Sequence, residues 1–147
     1  ETDEALWDET FAVNLKAMFF VTQAALERLA DGGRVICLSS MVSHVAYPGC
    51  IAYAMSKAGV NSFVSSLAAE VGPRGITANA VSPGATATDM TAALIADPAI
   101  AEVLKSGAAL GRIGVPADIA RTVGFLASPA GGWITGQVIQ ASGGMHL

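Results

Sequence analysis

The sequence predicts an α/β fold built on a parallel sheet, and two observations support this prediction. Apolar runs typical of buried strands alternate with longer segments whose apolar residues recur at helical spacing. After a first helix, the order is strand, helix, strand, helices, strand, which is typical of a parallel sheet with right-handed crossovers. The 147 residues are 52% apolar and 14% charged, which suits one domain with a hydrophobic core.

The first part of the chain predicts a helix followed by a strand. The helix is expected to run from about Asp3 to Ala30, where Asp31-Gly32-Gly33 ends it. Residues 34–40 form an apolar run, closed by Ser40, that predicts the first strand. The apolar stripe of the helix consists of Phe11, Leu15, Met18, Phe19, Leu26 and Leu29.

The middle of the chain predicts a second helix, a strand and a turn. The helix follows the region of Tyr53 and is stopped by Gly72-Pro73. Residues 76–84 predict a buried strand that ends in a Pro83-Gly84 turn, and Thr88 is expected to cap the helix after it. The stripe of the second helix consists of Val60, Phe63, Val64, Leu67 and Val71.

The last third predicts helices and a final strand. An alanine-rich stretch is interrupted at Asp97-Pro98. The last helix starts at Pro116, a residue that suits the first helical position, and Asp118 complements the helix dipole. Residues 137–141 are expected to form the last strand.

The spacing of Tyr53 and Lys57 is the strongest indication of chemistry. Four residues apart, they share a helix face, where the ammonium favours the phenolate over the phenol. Because a free phenol titrates near pH ~10, such help is needed before it can exchange protons near neutrality. Ser40 could hydrogen-bond a developing alkoxide. The alternative is a chance pair, which occurs on many helices.

Two strand ends point to one crevice. In open parallel sheets, ligands bind beyond the carboxyl ends of the strands. Ser40 and Pro83-Gly84 are both expected there.

These motifs, in order, resemble the short-chain dehydrogenase/reductase family: Ser40, then Tyr53 with Lys57, then Pro83-Gly84 with Thr88. Residues 110–120 and 134–139 are similar to its closing segments, and the likeness is to the 3-oxoacyl-carrier-protein reductase branch. The resemblance implies a Rossmann-like three-layer α-β-α parallel sheet and an oxidoreductase that interconverts a ketone and a secondary alcohol with NAD or NADP.

The Gly-rich dinucleotide fingerprint of that family is absent from the sequence. Gly107, Gly111 and Gly114 follow no strand. Residues 1–147 are therefore expected to be the carboxyl-terminal portion of a single domain, with an incomplete sheet. The alternatives are a truncated non-enzymatic remnant and a nucleotide-binding sensor on the same fold.

The resemblance also implies residue roles. Tyr53 is the catalytic acid or base, Lys57 bonds the nicotinamide ribose, and Ser40 polarises the substrate carbonyl. Asn14 is expected to anchor a water linked to Lys57, and the alternative is a polar residue that merely faces out of its helix. Cofactor contacts are expected from Tyr53, Lys57, Pro83, Gly84, the Thr86 backbone and the Thr88 hydroxyl. For Thr88 the competing interpretation is a plain N-cap with no ligand contact.

The chain departs from the family pattern at two places. Ser43 stands where the family usually has glycine, and Ala141-Ser142-Gly143-Gly144 replaces the common Val-Asp-Gly-Gly ending. The second departure could weaken a structural bond near the last strand.

Composition and charge limit the classes of partner and ligand that the protein is expected to bind. A net charge of −4 without a basic cluster argues against nucleic acid or membrane. Cys37 and Cys50 suit a reducing, cytoplasmic setting, and with two histidines they form no zinc-ligand spacing, which predicts no metal. By resemblance, the apolar helix faces are expected to build a homodimer or homotetramer, and the ligand is a small carbonyl or alcohol substrate.

Overall fold

A three-stranded parallel sheet forms the centre of the protein. In this computed structural model, which describes residues 2–146, the strands lie in the order β1-β2-β3. Their bounds are β1, Arg34–Leu38; β2, Thr77–Pro83; and β3, Val138–Ala141. Both neighbouring pairs are parallel, so the predicted sheet is confirmed.

Helices flank this sheet on both faces. Successive residues of β2 from Thr77 to Ser82 are all buried, and because side chains alternate between faces, both faces must be covered. On one face, Val60 and Val64 pack against Cys37 and Ala80. The helices are α1, Glu4–Phe11; α2, Ala17–Leu26; α3, Ile51–Val71; α4, Ala92–Ile95; α5, Pro98–Ser106; and α6, Pro116–Ala127.

The first helix differs from its prediction in its interior. Asp3 caps α1 as expected, since its Oδ1 accepts the N–H of Leu6 at 2.8 Å. Between α1 and α2, however, the π-helical turn Ala12–Lys16 interrupts the α-helical bonding, and the N–H of Ala17 donates to the carbonyl of Ala12. The turn inserts one residue and so shifts the helical register of the side chains after it.

The same helix also ends earlier than predicted. Its last residue is Leu26 instead of Ala30. The guanidinium of Arg74 donates to the carbonyls of Leu26, at 3.0 Å, and Leu29, and it bonds Asp31 at 2.9 Å. Arg74 thus supplies partners for carbonyls that the helix end leaves unpaired.

A buried asparagine fixes the chain before β3. Asn79 is fully buried in β2, where its Nδ2 donates to the carbonyl of Ile134 at 2.7 Å and its Oδ1 accepts from Gln137 N–H at 3.0 Å. Both polar groups of the side chain are therefore satisfied, as burial requires. The segment before β3 is held against the central strand.

We expect Leu126→Ala to destabilise the protein by about 2–5 kcal/mol, because Leu126 in α6 is fully buried and truncation leaves a cavity. Urea unfolding of the natively expressed protein measures this as a lower midpoint. Leu110→Ala is the matched control, since Leu110 is 70% exposed. Equal shifts for the two variants would contradict the packing of α6.

Candidate active site

The candidate residues gather at the carboxyl edge of the sheet. Ser40 lies two residues beyond β1, and Gly84 directly follows β2. The helix α3 begins at Ile51, so Tyr53 and Lys57 lie in its first two turns. The Met41–Ser43 turn after Ser40 packs against the same helix. Two strand ends and one helix therefore meet at this edge.

Tyr53 and Lys57 lie side by side as their spacing predicts. The Nζ of Lys57 is 5.6 Å from the centroid of the Tyr53 ring. It also donates a hydrogen bond of 3.1 Å to the carbonyl of Leu38, the last residue of β1. Burial lowers the pKa of the Lys57 ammonium, and its charge interaction with Cys37 opposes part of that shift. The ammonium is thus anchored to the strand end.

Cys37 lies in β1 beneath this lysine. Burial raises the pKa of its thiol, and the charge of Lys57 acts in the opposite direction. Since the thiolate is the reactive form, Cys37 is expected to be inert in the folded protein.

We expect iodoacetamide at pH 8 to label Cys50 well before Cys37, because Cys37 is buried and its thiol pKa is raised. Peptide mass spectrometry after timed quenching measures both sites. The control is urea-unfolded protein, in which the two rates should converge. Rapid native labelling of Cys37 would contradict its buried position.

The backbone of Ser40 is extended, with φ −159° and ψ 151°, and its carbonyl accepts bonds from Ser43. Ser39, which differs from Ser40 in being buried, donates to Asn61 at 2.6 Å. Sequence reasoning missed Asn61, although its position four residues after Lys57 on α3 placed it on the same helix face.

Asn14 lies inside the π-helical turn Ala12–Lys16, a kind of irregularity that often marks functional sites. Its Nδ2 donates to the carbonyl of Thr10 at 3.0 Å. Within residues 2–146 its side chain makes no hydrogen bond to Tyr53 or Lys57, so the structure does not bring these groups into direct contact. The turn still packs on α3, since Leu15 lies against Gly59.

Position 84 has room only for glycine, because Ser142 lies close to its backbone. A Cβ at this position would lie 2.8 Å from both Cα and Cβ of Ser142, which follows β3. Glycine at position 84 therefore permits a close approach between the two strand ends, and the predicted approach to a nicotinamide stays a prediction. The hydroxyl of Ser142 accepts the N–H of Met145 at 3.2 Å, so the unusual ending retains a turn-stabilising bond.

Thr86 is buried and presents its backbone to the edge. It forms a parallel β-bridge with Gly114, but its own backbone groups do not make the hydrogen bonds of that bridge. The N–H of Gly114 donates to the carbonyl of Ala85, and the carbonyl of Gly114 accepts the N–H of Ala87. The N–H and carbonyl of Thr86 therefore face away from Gly114. The carbonyl accepts from Thr91 Oγ1 at 2.6 Å.

The prediction that Thr88 caps a helix is wrong. Residues 88–91 form a turn, and α4 begins only at Ala92, after Thr91. The reason is Thr91, whose hydroxyl lies 3.2 Å from the Thr88 hydroxyl and also accepts the Thr88 N–H at 3.0 Å. Thr88 itself is exposed beside the sheet edge, and sequence reasoning missed Thr91.

Two further findings concern the described part of the chain, residues 2–146. None of its helices combines the length and apolar character needed to cross a membrane. No group of three or more His, Cys, Asp or Glu side chains there is arranged to hold a metal ion.

Comparison with known proteins identifies the family. A family model described as enoyl-(acyl carrier protein) reductase matches residues 1–146. The 3-oxoacyl-[acyl-carrier-protein] reductase FabG of Aquifex aeolicus is 41% identical over 141 residues, which are 95% of this chain and 56% of the relative. The crystal structure of the angucycline C-6 ketoreductase LanV with bound NADP matches with a TM-score of 0.91 and 42% identity, over 98% of this chain and 55% of that one.

A third match is a short-chain dehydrogenase/reductase from Brucella melitensis, with a TM-score of 0.94 and 30% identity, over 100% of this chain and 59% of that one. This chain thus spans little more than half the length of its relatives. Because the family model covers almost every residue and the Rossmann-like sheet superimposes closely, the chain belongs to the short-chain dehydrogenase/reductase family.

Proposed function

We propose that the protein of which this chain is part reduces a ketone to a secondary alcohol with NAD or NADP. The observation that carries the proposal is the shared sheet edge, where Ser40 at the end of β1 meets α3 with Tyr53 and Lys57. An acid, a cation beside it and a hydroxyl are the groups that carbonyl reduction requires from a protein.

The residues present fit the nicotinamide ribose of the cofactor. A lysine ammonium has three N–H donors, and Lys57 gives one of them to the Leu38 carbonyl. The other two can donate to ribose hydroxyls. Nearby, the backbone N–H of Thr86 faces away from Gly114 and can donate to a carboxamide, and the Thr88 hydroxyl is exposed. When bound, the cofactor would supply the hydride.

Proton transfer is assigned to Tyr53. Its phenol gives a proton to the carbonyl oxygen as negative charge develops there, while Ser40 donates a hydrogen bond to the same oxygen. Lys57 stabilises the phenolate that remains, because the cation lies next to the ring. We assign Asn14 to the path that returns a proton from solvent, through a water beside Lys57.

The substrate is proposed to be an apolar ketone of the 3-oxoacyl type. The segment that could cover it contains Met90 and Leu94, both exposed. Behind Ser40, Met41 packs with Ala108 and Met145 in an apolar cluster. The FabG relative acts on a 3-oxoacyl carrier-protein substrate, and LanV is named for the C-6 ketone of an angucycline.

The test is reductase activity of the natively expressed protein, followed by the loss of reduced-nicotinamide absorbance. A 3-oxoacyl thioester, an aromatic polyketone and an enoyl thioester are compared. Turnover of either ketone supports the proposal. Turnover of the enoyl substrate alone would replace it with the reaction named in the family model. Cofactor binding without any turnover would favour a sensor, and neither binding nor turnover would favour a non-enzymatic remnant.

We further propose that residues 1–147 are the carboxyl-terminal portion of one cytoplasmic domain that assembles as a homodimer or homotetramer. The apolar side chains Val13, Phe20 and Val21 are exposed along the first helix, which supports a helix-to-helix contact. The intact mass of the native protein tests the first point, and a mass larger by about ninety residues is expected. Light scattering tests the second point, and a particle mass two or four times that of the intact chain is expected.

A further inference from the structure

The carbonyl of Ser40 is held by Ser43, at a position where the family usually has glycine. Ser43 donates to it twice, from its backbone N–H at 3.0 Å and from its hydroxyl at 2.6 Å. Glycine, which the family usually has at this position, could supply only the backbone bond. The hydroxyl therefore adds a constraint on the backbone that carries the Ser40 side chain.

The hydroxyl of Ser43 is itself fixed by Asn61. Asn61 Nδ2 donates to Ser43 Oγ at 2.9 Å, and Asn61 Oδ1 accepts from Ser39 Oγ at 2.6 Å. The Nδ1 of His44 lies 3.0 Å from Ser43 Oγ and can fill its second lone pair. The proton of the Ser43 hydroxyl is directed to the Ser40 carbonyl, and one of its two lone pairs accepts from Asn61. The other lone pair accepts from His44 in the tautomer that carries the ring proton on Nδ1.

This network joins the end of β1 to α3. Ser39 Oγ also lies 3.3 Å from the Lys57 carbonyl, and Asn61 follows Lys57 by one helical turn. The strand end that carries Ser40 and the helix that carries Tyr53 are therefore connected by side-chain bonds that are half-buried. The network therefore ties the backbone of Ser40 to α3.

We propose that Ser43 and Asn61 are positioning residues for Ser40: Asn61 orients the Ser43 hydroxyl, which pins the Ser40 carbonyl and so aims the Ser40 hydroxyl at the substrate oxygen. This inference rests on the proposed ketone reduction. Placement errors of an ångström can lower a reaction rate substantially, so a side chain that contacts no substrate can still affect kcat.

The test measures kcat and KM for reduction of the best ketone substrate in the natively expressed protein. Ser43→Ala is expected to lower kcat about tenfold, the equivalent of one neutral hydrogen bond. KM and cofactor affinity should change less than about twofold, because the chain's cofactor contacts remain. Asn61→Leu should produce a similar loss, and Ser43→Thr, which keeps a hydroxyl, should restore much of it. Ser62→Ala, on an exposed part of α3, is the matched control.

A double-mutant cycle separates positioning from general stability. Ser40→Ala is expected to lower kcat about 10²- to 10³-fold, and in that background Ser43→Ala should add less than about twofold, because nothing remains to be positioned. Equal tenfold losses in both backgrounds, or unchanged kcat in Ser43→Ala, would overturn the inference. If Ser43→Ala fails to fold, Ser43→Gly, which likewise removes the hydroxyl and keeps the backbone N–H, replaces it in the cycle. Full activity of Ser40→Ala would instead overturn the proposed role of Ser40 in the reaction.

Discussion

We expect Tyr53→Phe to lower reductase kcat by about 10²- to 10⁴-fold while cofactor affinity stays within about twofold, because the substitution removes only the proton that general acid catalysis needs. In the part of the chain that the structure describes, the Tyr53 hydroxyl makes no hydrogen bond, so its removal leaves no protein group unpaired. The ring that contacts Lys57 is kept. Steady-state kinetics and fluorescence titration of reduced nicotinamide measure the two quantities.

The chain offers a matched control for this substitution. Tyr47 is the other of its two tyrosines and is 42% exposed, so Tyr47→Phe removes the same atom from the loop before α3. Its kcat should remain within about twofold of wild type. If Tyr53→Phe retains wild-type turnover, or if the two variants lose activity equally, Tyr53 is not the acid.

The elements that the sequence predicts well depend on local signals. Asp3 caps α1, Pro116 starts α6, and α3 ends at Val71 before Gly72-Pro73, all through contacts within a few residues. The three strands follow from apolar runs, and no observed strand end differs from the predicted one by more than two residues.

The features that were not predicted depend on residues distant in sequence. The early end of α2 follows from Arg74, which reaches Leu26 across 48 positions, and no pattern in the helix itself contains that information. The π-helical turn Ala12–Lys16 places Leu15 against Gly59 of α3. A helical periodicity argument treats such a segment as continuous, because the change in register is made by tertiary packing.

In the candidate site, too, contacts within one helix could be predicted and contacts between distant residues could not. Tyr53 and Lys57 meet because helical spacing alone puts them on one face. The prediction that Thr88 caps a helix failed because the side chain of Thr91 bonds the backbone of this turn instead. Asn61 bonds Ser43 only because the chain fold brings Ser43 next to α3. Residue spacing along the helix cannot predict that contact.

Lys57→Met is expected to lower both kcat and cofactor affinity, each by at least about tenfold, which distinguishes it from Tyr53→Phe. The ammonium is proposed to stabilise the phenolate and to bind the ribose, so one substitution removes two interactions, each worth about 1.5–3 kcal/mol for a charged hydrogen bond. Lys105→Met, at the exposed end of α5, is the control and should match wild type. Loss of kcat alone would contradict the ribose contact.

The pH dependence of cofactor affinity tests the state of this lysine directly. Burial lowers the pKa of Lys57 below the ordinary lysine value of 10.5, so its ammonium loses its proton earlier as pH rises. In Tyr53→Phe protein, which lacks the phenol, affinity should therefore fall on the alkaline side with a midpoint below 10.5. Adding Lys57→Arg should weaken affinity at neutral pH and abolish this alkaline fall, because a guanidinium keeps its charge throughout that range. An alkaline fall that persists with arginine would show that another group controls binding, and Lys57 would then lose its assignment as the ribose ligand.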